Sequence, residues 1–145
     1  ILIHCGMSWA PTGLASMAHP LLLERVIHDF PTLPFVIAHM GWPWVRESAM
    51  LAIKHRHICL DTSVLFSGTP TDSVSRAVDE IGGVDTLDRS LSKQIVFGSN
   101  YPRVDPKRAV WAVEALDLRP RLAERVFFGN ASRLLGLEKE HPCVR

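Results

Sequence analysis

Four short apolar runs, each closing on polar side chains, alternate along this chain with helical stretches, and that alternation limits its fold more than any other feature. The runs Ile1–Cys5, Phe35–His39, Ile58–Thr62 and Ile95–Gly98 begin 23 to 37 residues apart, near the ~30 residues of one βα unit. Phe35 to Ala38 is uninterruptedly apolar, as strands covered on both faces are. Between the runs, Leu21–Phe30 has helical spacing bounded by Pro20 and Pro31, and Trp44–His55 follows Pro43. A third helix is expected over Asp72–Ile81, capped by Thr71 and stopped by Gly82-Gly83. Pro106–Leu116, Pro120–Phe128 and Ala131–Leu135 make the remainder helical. Strand, crossover and strand at this period predict an α/β fold with a parallel sheet.

Four βα units suit two architectures: an open doubly wound sheet, or half of a (β/α)₈ barrel, since a whole barrel takes about 250 residues and the chain has 145. Either way, the C-terminal strand ends are where sites form. Those ends carry His4, His39, Asp61 to Ser63, and Ser99-Asn100.

Composition removes several classes. A hydrophobic share of 47% in 145 residues supports a real core. A formal charge of +1 with no basic stripe gives no reason to expect nucleic acid or a charged membrane surface as partner. No apolar run approaches the ~18 residues of a spanning helix, and the opening ILIHCGMSWAP lacks the layout of a signal peptide. Cys5, Cys59 and Cys143 form no C-x-x-C pair, which suits free thiols in a reducing, cytoplasmic setting.

The chemistry concentrates in two histidines. I-L-I-H-C-G and F-V-I-A-H-M-G both end a strand in His followed by x-Gly. A histidine there points into the mouth of the sheet, and the glycine lets the backbone turn away. Imidazole serves as metal ligand or as proton carrier near neutral pH. The fourth strand leads into F-G-S-N-Y-P, which presents Asn100 where such a site would want a carboxylate.

H-C-G, P-F-V-I-A-H-M-G-W-P-W, I-C-L-D-T-S, I-V-F-G-S-N-Y-P and F-F-G-N-A-S-R-L-L-G-L, in that order, resemble the amidohydrolase-related proteins (amidohydrolase family 2). That branch includes aminocarboxymuconate-semialdehyde and resorcylate-type decarboxylases. The resemblance implies a metal-dependent TIM barrel, with residues 1–137 as strands five to eight and the closing helices, followed by a polar tail, 138–145. It implies His4 as the strand-five metal ligand, and His39 as the strand-six histidine that ligates metal or polarises the attacked water or substrate. Asn100 stands at the place of the strand-eight aspartate. Trp9, Trp42 and Arg103 follow those strands on loops that would contact an aromatic or carboxylated substrate. The implied cofactor is a divalent metal, zinc before manganese. The implied activity is hydrolysis or non-oxidative decarboxylation of a small aromatic or unsaturated carboxylate.

This sequence departs from the family pattern twice. The strand-one H-x-H pair is absent, together with strands one to four, and Asn100 is a neutral amide that cannot act as a base. The alternative is therefore a non-catalytic or metal-independent relative, ligand-binding or lactonase-like.

Other candidates have plainer readings. His55-Arg56-His57 spells H-x-H, but it falls at a helix-to-strand turn on the wrong side of the sheet. His19 reads as a cap and His28 as a complement to a helix C-terminus, while His141 lies in the polar tail. Asp61 and Ser63 fall on one side of a strand and read as loop-fixing. Cys5 points away from His4. Asn130 reads as the cap of the last helix. No G-x-S-x-G surrounds any serine. A half barrel leaves two open sheet edges, so a homo-oligomer or a missing N-terminal half is expected; the start at Ile1, inside a strand and without Met, favours the latter.

Overall fold

A computed structural model describes residues 1–137 of the chain; the tail at 138–145, with His141 and Cys143, lies outside the described residues. Four strands, β1 (Leu2–His4), β2 (Phe35–Ala38), β3 (Ile58–Asp61) and β4 (Ile95–Val96), form one sheet in the order β1-β2-β3-β4. All three pairings are parallel, with Ile3 beside Ile37, Val36 beside Cys59 and Leu60 beside Ile95. Strand order follows chain order without reversal. A doubly wound sheet must reverse at its switch point, so that alternative is excluded, and the fold is part of a TIM barrel.

The helices are α1 (Glu24–Asp29), α2 (Val45–Lys54), α3 (Pro70–Glu80), α4 (Gly83–Thr86), α5 (Pro106–Glu114), α6 (Pro120–Glu124) and α7 (Asn130–Leu134). The expected helix from Leu21 begins as a 3-10 turn, Pro20–Leu23, before α1. The cap of α3 is Thr69, whose hydroxyl accepts from the Asp72 amide at 3.1 Å, and not Thr71. Pro70 occupies the first helical position, where its missing N–H costs nothing, so the helix starts one residue after Thr69. The segment between Gly82 and β4 has no element assigned from the sequence. It forms α4 and a π-type turn, Leu87–Leu91, because Leu87 and Leu91 lie on one face and both bury in the core. Asn130 is not a cap. It lies inside a continuous helical run, 2% exposed, and its amide donates to Ser92 O (3.0 Å) and Ile95 O (2.7 Å), tying α7 to β4.

The two faces of the sheet have different neighbours. Ile37, Leu60 and Ile95 pack with Leu51, Ala77 and Val113 from the helices. On the other face Val36, Cys59 and Val96 pack against Leu134 of α7. No helix among the described residues is long and apolar enough to cross a membrane.

Candidate functional site

At the C-terminal end of the strands the chain makes a run of left-handed residues that the sequence pattern alone did not require. After β2, His39 (φ 59°), Met40 (φ 50°) and Gly41 (φ 72°) follow one another. Left-handed backbone costs a side-chain-bearing residue about 1–2 kcal/mol, so His39 and Met40 must be held by other contacts. Met40 is fully buried, and the His39 amide donates to Asp61 Oδ1 at 2.8 Å. Gly41 has no alternative, because a Cβ there would lie 1.9 Å from Ser48 Oγ. After β1, Gly6 (φ 140°) would place a Cβ 2.4 Å from the Trp42 carbonyl, and that carbonyl accepts from the Met7 amide at 2.9 Å. Gly6 thus lets the loop after β1 pack against the loop after β2, and Gly41 lets the turn after β2 pack against α2.

This packing brings together side chains far apart in sequence. His4, Trp9, His39, Trp42, Asn100 and Arg103 line one cleft of about 60 Å³. That space holds a few water molecules and falls below the ~300 Å³ of a typical small-molecule pocket. The His4 and His39 rings meet edge to face with centroids 5.2 Å apart. Burial, and secondarily the neighbouring His39, hold His4 below the ordinary histidine range, so it is a neutral imidazole near neutral pH. Trp42 stacks on Phe66 at 4.4 Å, and Trp9 stacks on Trp42 at 6.1 Å, forming an aromatic wall. Asn100 is also left-handed (φ 63°), a conformation that Asn tolerates better than most residues. Its carbonyl accepts from the Arg103 amide at 2.9 Å, closing the turn that carries both residues.

Beneath His39 lies a hydrogen-bond chain that fixes its tautomer. Ser63 Oγ–H donates to Asp61 Oδ1, which also accepts from the Ser63 amide at 3.0 Å. His39 Nδ1 lies 2.7 Å from Ser63 Oγ and 3.0 Å from the Ser63 carbonyl. The carbonyl can only accept, and the hydroxyl proton is directed at Asp61, so Nδ1 carries the ring proton. Nε2 is left with the lone pair. Thr62 Oγ1 accepts from the Gly98 amide at 3.0 Å and donates to the Gly98 carbonyl at 3.3 Å, joining the exits of β3 and β4. Asp61-Thr62-Ser63 fixes the loops, as its spacing suggested, and it also reaches His39. Two contributors carried no sequence signal: Ser63 as the partner of His39, and Phe66, which sits in a Gly/Thr/Pro-rich loop without periodicity.

The remaining candidates lie elsewhere. Cys5 turns into the core, where burial pushes its thiol up to about 11. His55 caps the end of α2, and His57 precedes β3, at the opposite end of the sheet. His19 Nδ1 accepts from the Leu21 amide at 3.3 Å, and His28 lies 3.1 Å from the Asp29 carboxylate. A divalent metal in the cleft would find a neutral imidazole at His4 and an amide oxygen at Asn100. Catalytic zinc takes three protein ligands, and no group of three or more His, Cys, Asp or Glu among the described residues is placed to hold a metal. Those residues alone do not complete a metal site.

The amidohydrolase family profile matches residues 1–137. No curated protein matches the chain significantly. Among solved structures, a TIM-barrel protein from Bordetella bronchiseptica superposes with a TM-score of 0.75 at 24% identity, over 93% of this chain and 44% of its own. An amidohydrolase from Burkholderia multivorans with bound zinc gives 0.61 at 15% identity, over 79% and 48%. A candidate 2-pyrone-4,6-dicarboxylic acid hydrolase from Pseudomonas putida gives 0.57 at 16% identity, over 97% and 64%. The chain therefore spans 44% to 64% of the length of these three structures. Fold and profile agree on one assignment: the chain belongs to the amidohydrolase family.

Proposed function

We propose that the protein is a hydrolase of a small unsaturated or aromatic carboxylate, with His39 as its acid–base group. The observation that supports this most is the hydrogen-bond chain Asp61–Ser63–His39, which leaves Nε2 as the basic nitrogen of a ring lining the cleft. In the proposed reaction, Nε2 takes a proton from water as the oxygen bonds to the substrate's acyl carbon. The bond from that carbon to the leaving oxygen or nitrogen then breaks, and Nε2 returns its proton to the leaving atom. Trp9 and Trp42 would support a planar substrate, and Arg103 would pair with its carboxylate. A divalent cation, zinc before manganese, would supply Lewis acidity in the whole protein, facing His4 and Asn100. The zinc of the Burkholderia structure and the pyrone dicarboxylate named for the Pseudomonas one support these choices. Non-oxidative decarboxylation is the variant chemistry, in which His39 delivers a proton to the carbon that loses carbon dioxide.

The proposal extends to the surroundings. Among the described residues β1 and β4 each pair on one side only, and Leu2 is 68% exposed. Further strands, from a longer polypeptide or a second copy, would close the barrel and enlarge the cleft. Two buried free thiols, Cys5 and Cys59, suit the cytoplasm.

A second reading rests on Asn100. With an amide where the family resemblance places an aspartate, the cleft would bind a carboxylate without turning it over, or act without metal as a lactonase.

The test is to follow 2-pyrone-4,6-dicarboxylate with the full-length protein by ultraviolet absorbance and product mass, with and without chelator. Addition of water (+18 Da) that stops with chelator supports the metal-dependent hydrolase. Loss of carbon dioxide selects the decarboxylase, and turnover that survives chelator selects the lactonase. Binding without turnover overturns the enzymatic proposal.

A further inference from the structure

At the end of the sheet opposite His39, the fold gathers cations that the sequence scatters. Arg56 lies between α2 and β3, Arg89 and Lys93 lie in the segment before β4, and Arg133 lies on α7. Together with Ser90 and Ser92 they line a cavity of about 530 Å³, and no carboxylate among the described residues lines it. Three cations outside the cavity are neutralised by carboxylates: Arg25 by Asp29, Lys54 by Glu24, and Arg119 by Asp85 and Asp88. None of the four cavity cations has a carboxylate partner among the described residues.

Two of the cations are held in place. Arg56 donates to the Ser90 carbonyl at 3.0 Å and to Gln94 Oε1 at 3.1 Å. Gln94 is 1% exposed, and its amide nitrogen donates to the carbonyls of Ala52 and of Ile58 (2.9 Å), so Arg56 rests on a rigid floor. Arg133 donates to the Lys93 carbonyl. Arg89 and Lys93 make no ion pair or side-chain hydrogen bond among the described residues, and they remain available to a ligand.

We infer that this cavity is a binding site for a small polyanion of the phosphate type. Four positive charges around one cavity exceed what a single carboxylate neutralises. Guanidinium groups match phosphate oxygens bidentately, and the serine hydroxyls add neutral donors. The volume lies within the range of ligand pockets. No aromatic side chain among the described residues lines the cavity, so none of them stacks a base or a planar ring. The ligand class is therefore the polyanion itself, pyrophosphate or an organic polyphosphate. This site is independent of the proposed chemistry at His39.

Inorganic pyrophosphate titrated into the full chain by calorimetry at constant ionic strength tests the inference. The expected result is saturable one-to-one binding, weakened about tenfold by Arg89→Ala and about tenfold by Lys93→Ala, the loss of one charge-assisted hydrogen bond each. Both residues are exposed, so the variants keep the fold, which thermal melts verify. Arg108→Ala, which removes an exposed cation on α5, should leave binding unchanged. Absent binding, or an equal loss in Arg108→Ala, overturns the site. Binding of a DNA duplex but not of pyrophosphate overturns it as well, since the cations would then serve a nucleic-acid backbone.

Discussion

Ser63 stands between Asp61 and His39, and its hydroxyl lies 2.7 Å from His39 Nδ1 while directing its proton at the carboxylate. The relationship binds the end of β3 to the strained turn after β2. Asp61 Oδ1 serves three donors at once, the amides of His39 and Ser63 and the Ser63 hydroxyl. Asp61→Ala strands all three in a place that is 8% exposed or less for Asp61 and Ser63, so it should cost about 3 kcal/mol in urea unfolding. Ser63→Ala should cost about 1 kcal/mol and keep the proton on Nδ1, because the Ser63 carbonyl remains 3.0 Å away. Nitrogen-15 spectra of the imidazole report the tautomer directly.

The glycines of the two His-x-Gly pairs are predicted to be irreplaceable. Gly6→Ala and Gly41→Ala would set a Cβ 2.4 Å from a backbone oxygen and 1.9 Å from Ser48 Oγ, both at positive φ. Each should lower stability by about 2 kcal/mol or more. Gly68→Ala, with nothing within 4 Å of its Cβ, should stay within about 0.5 kcal/mol. Thermal denaturation of the three variants makes the comparison.

Stability should rise with pH through the histidine range. Burial holds both His4 and His55 below 6.5, aided by His39 for His4 and by Lys54 for His55. The unfolded chain therefore binds more protons than the folded one as pH falls from about 6.5. Their contribution is complete above that pH and is lost on acidification towards the lower folded values. Urea midpoints measured between pH 5 and 8 should show the slope, and His55→Gln should flatten part of it.

The buried thiols should be inert. Cys5 is pushed up to about 11 from 9.0 by burial alone, which lowers its thiolate fraction about a hundredfold. Cys59 is raised too, by burial, against the partly opposing Arg133. Iodoacetamide at pH 8 should leave both unmodified in native protein and label both after denaturation, read by peptide mass.

Much of this arrangement is legible in the sequence, for reasons particular to each element. Phe35 to Ala38 announces a strand because both faces are covered, and His4, His39 and Asn100 stand out because polar residues end apolar runs. Thr69 and Thr71 offer the same capping hydroxyl near the helix start, and only Pro70 at the first helical position singles out Thr69. Phe66 is legible only once Trp42 stacks on it. The cationic cavity assembles residues from 56 to 133 and leaves no local trace. Asn130 resembled a cap because caps favour asparagine, yet its amide is spent on Ser92 and Ile95.

The measurement that bears most directly on the account is kcat of His39→Ala beside wild type, in full-length protein turning over 2-pyrone-4,6-dicarboxylate. Loss of a positioned acid–base group should lower kcat by about 10²–10⁴-fold, with the fold intact by circular dichroism. Equal rates in the two proteins would contradict the assignment of His39, and with it the place of the cleft in catalysis.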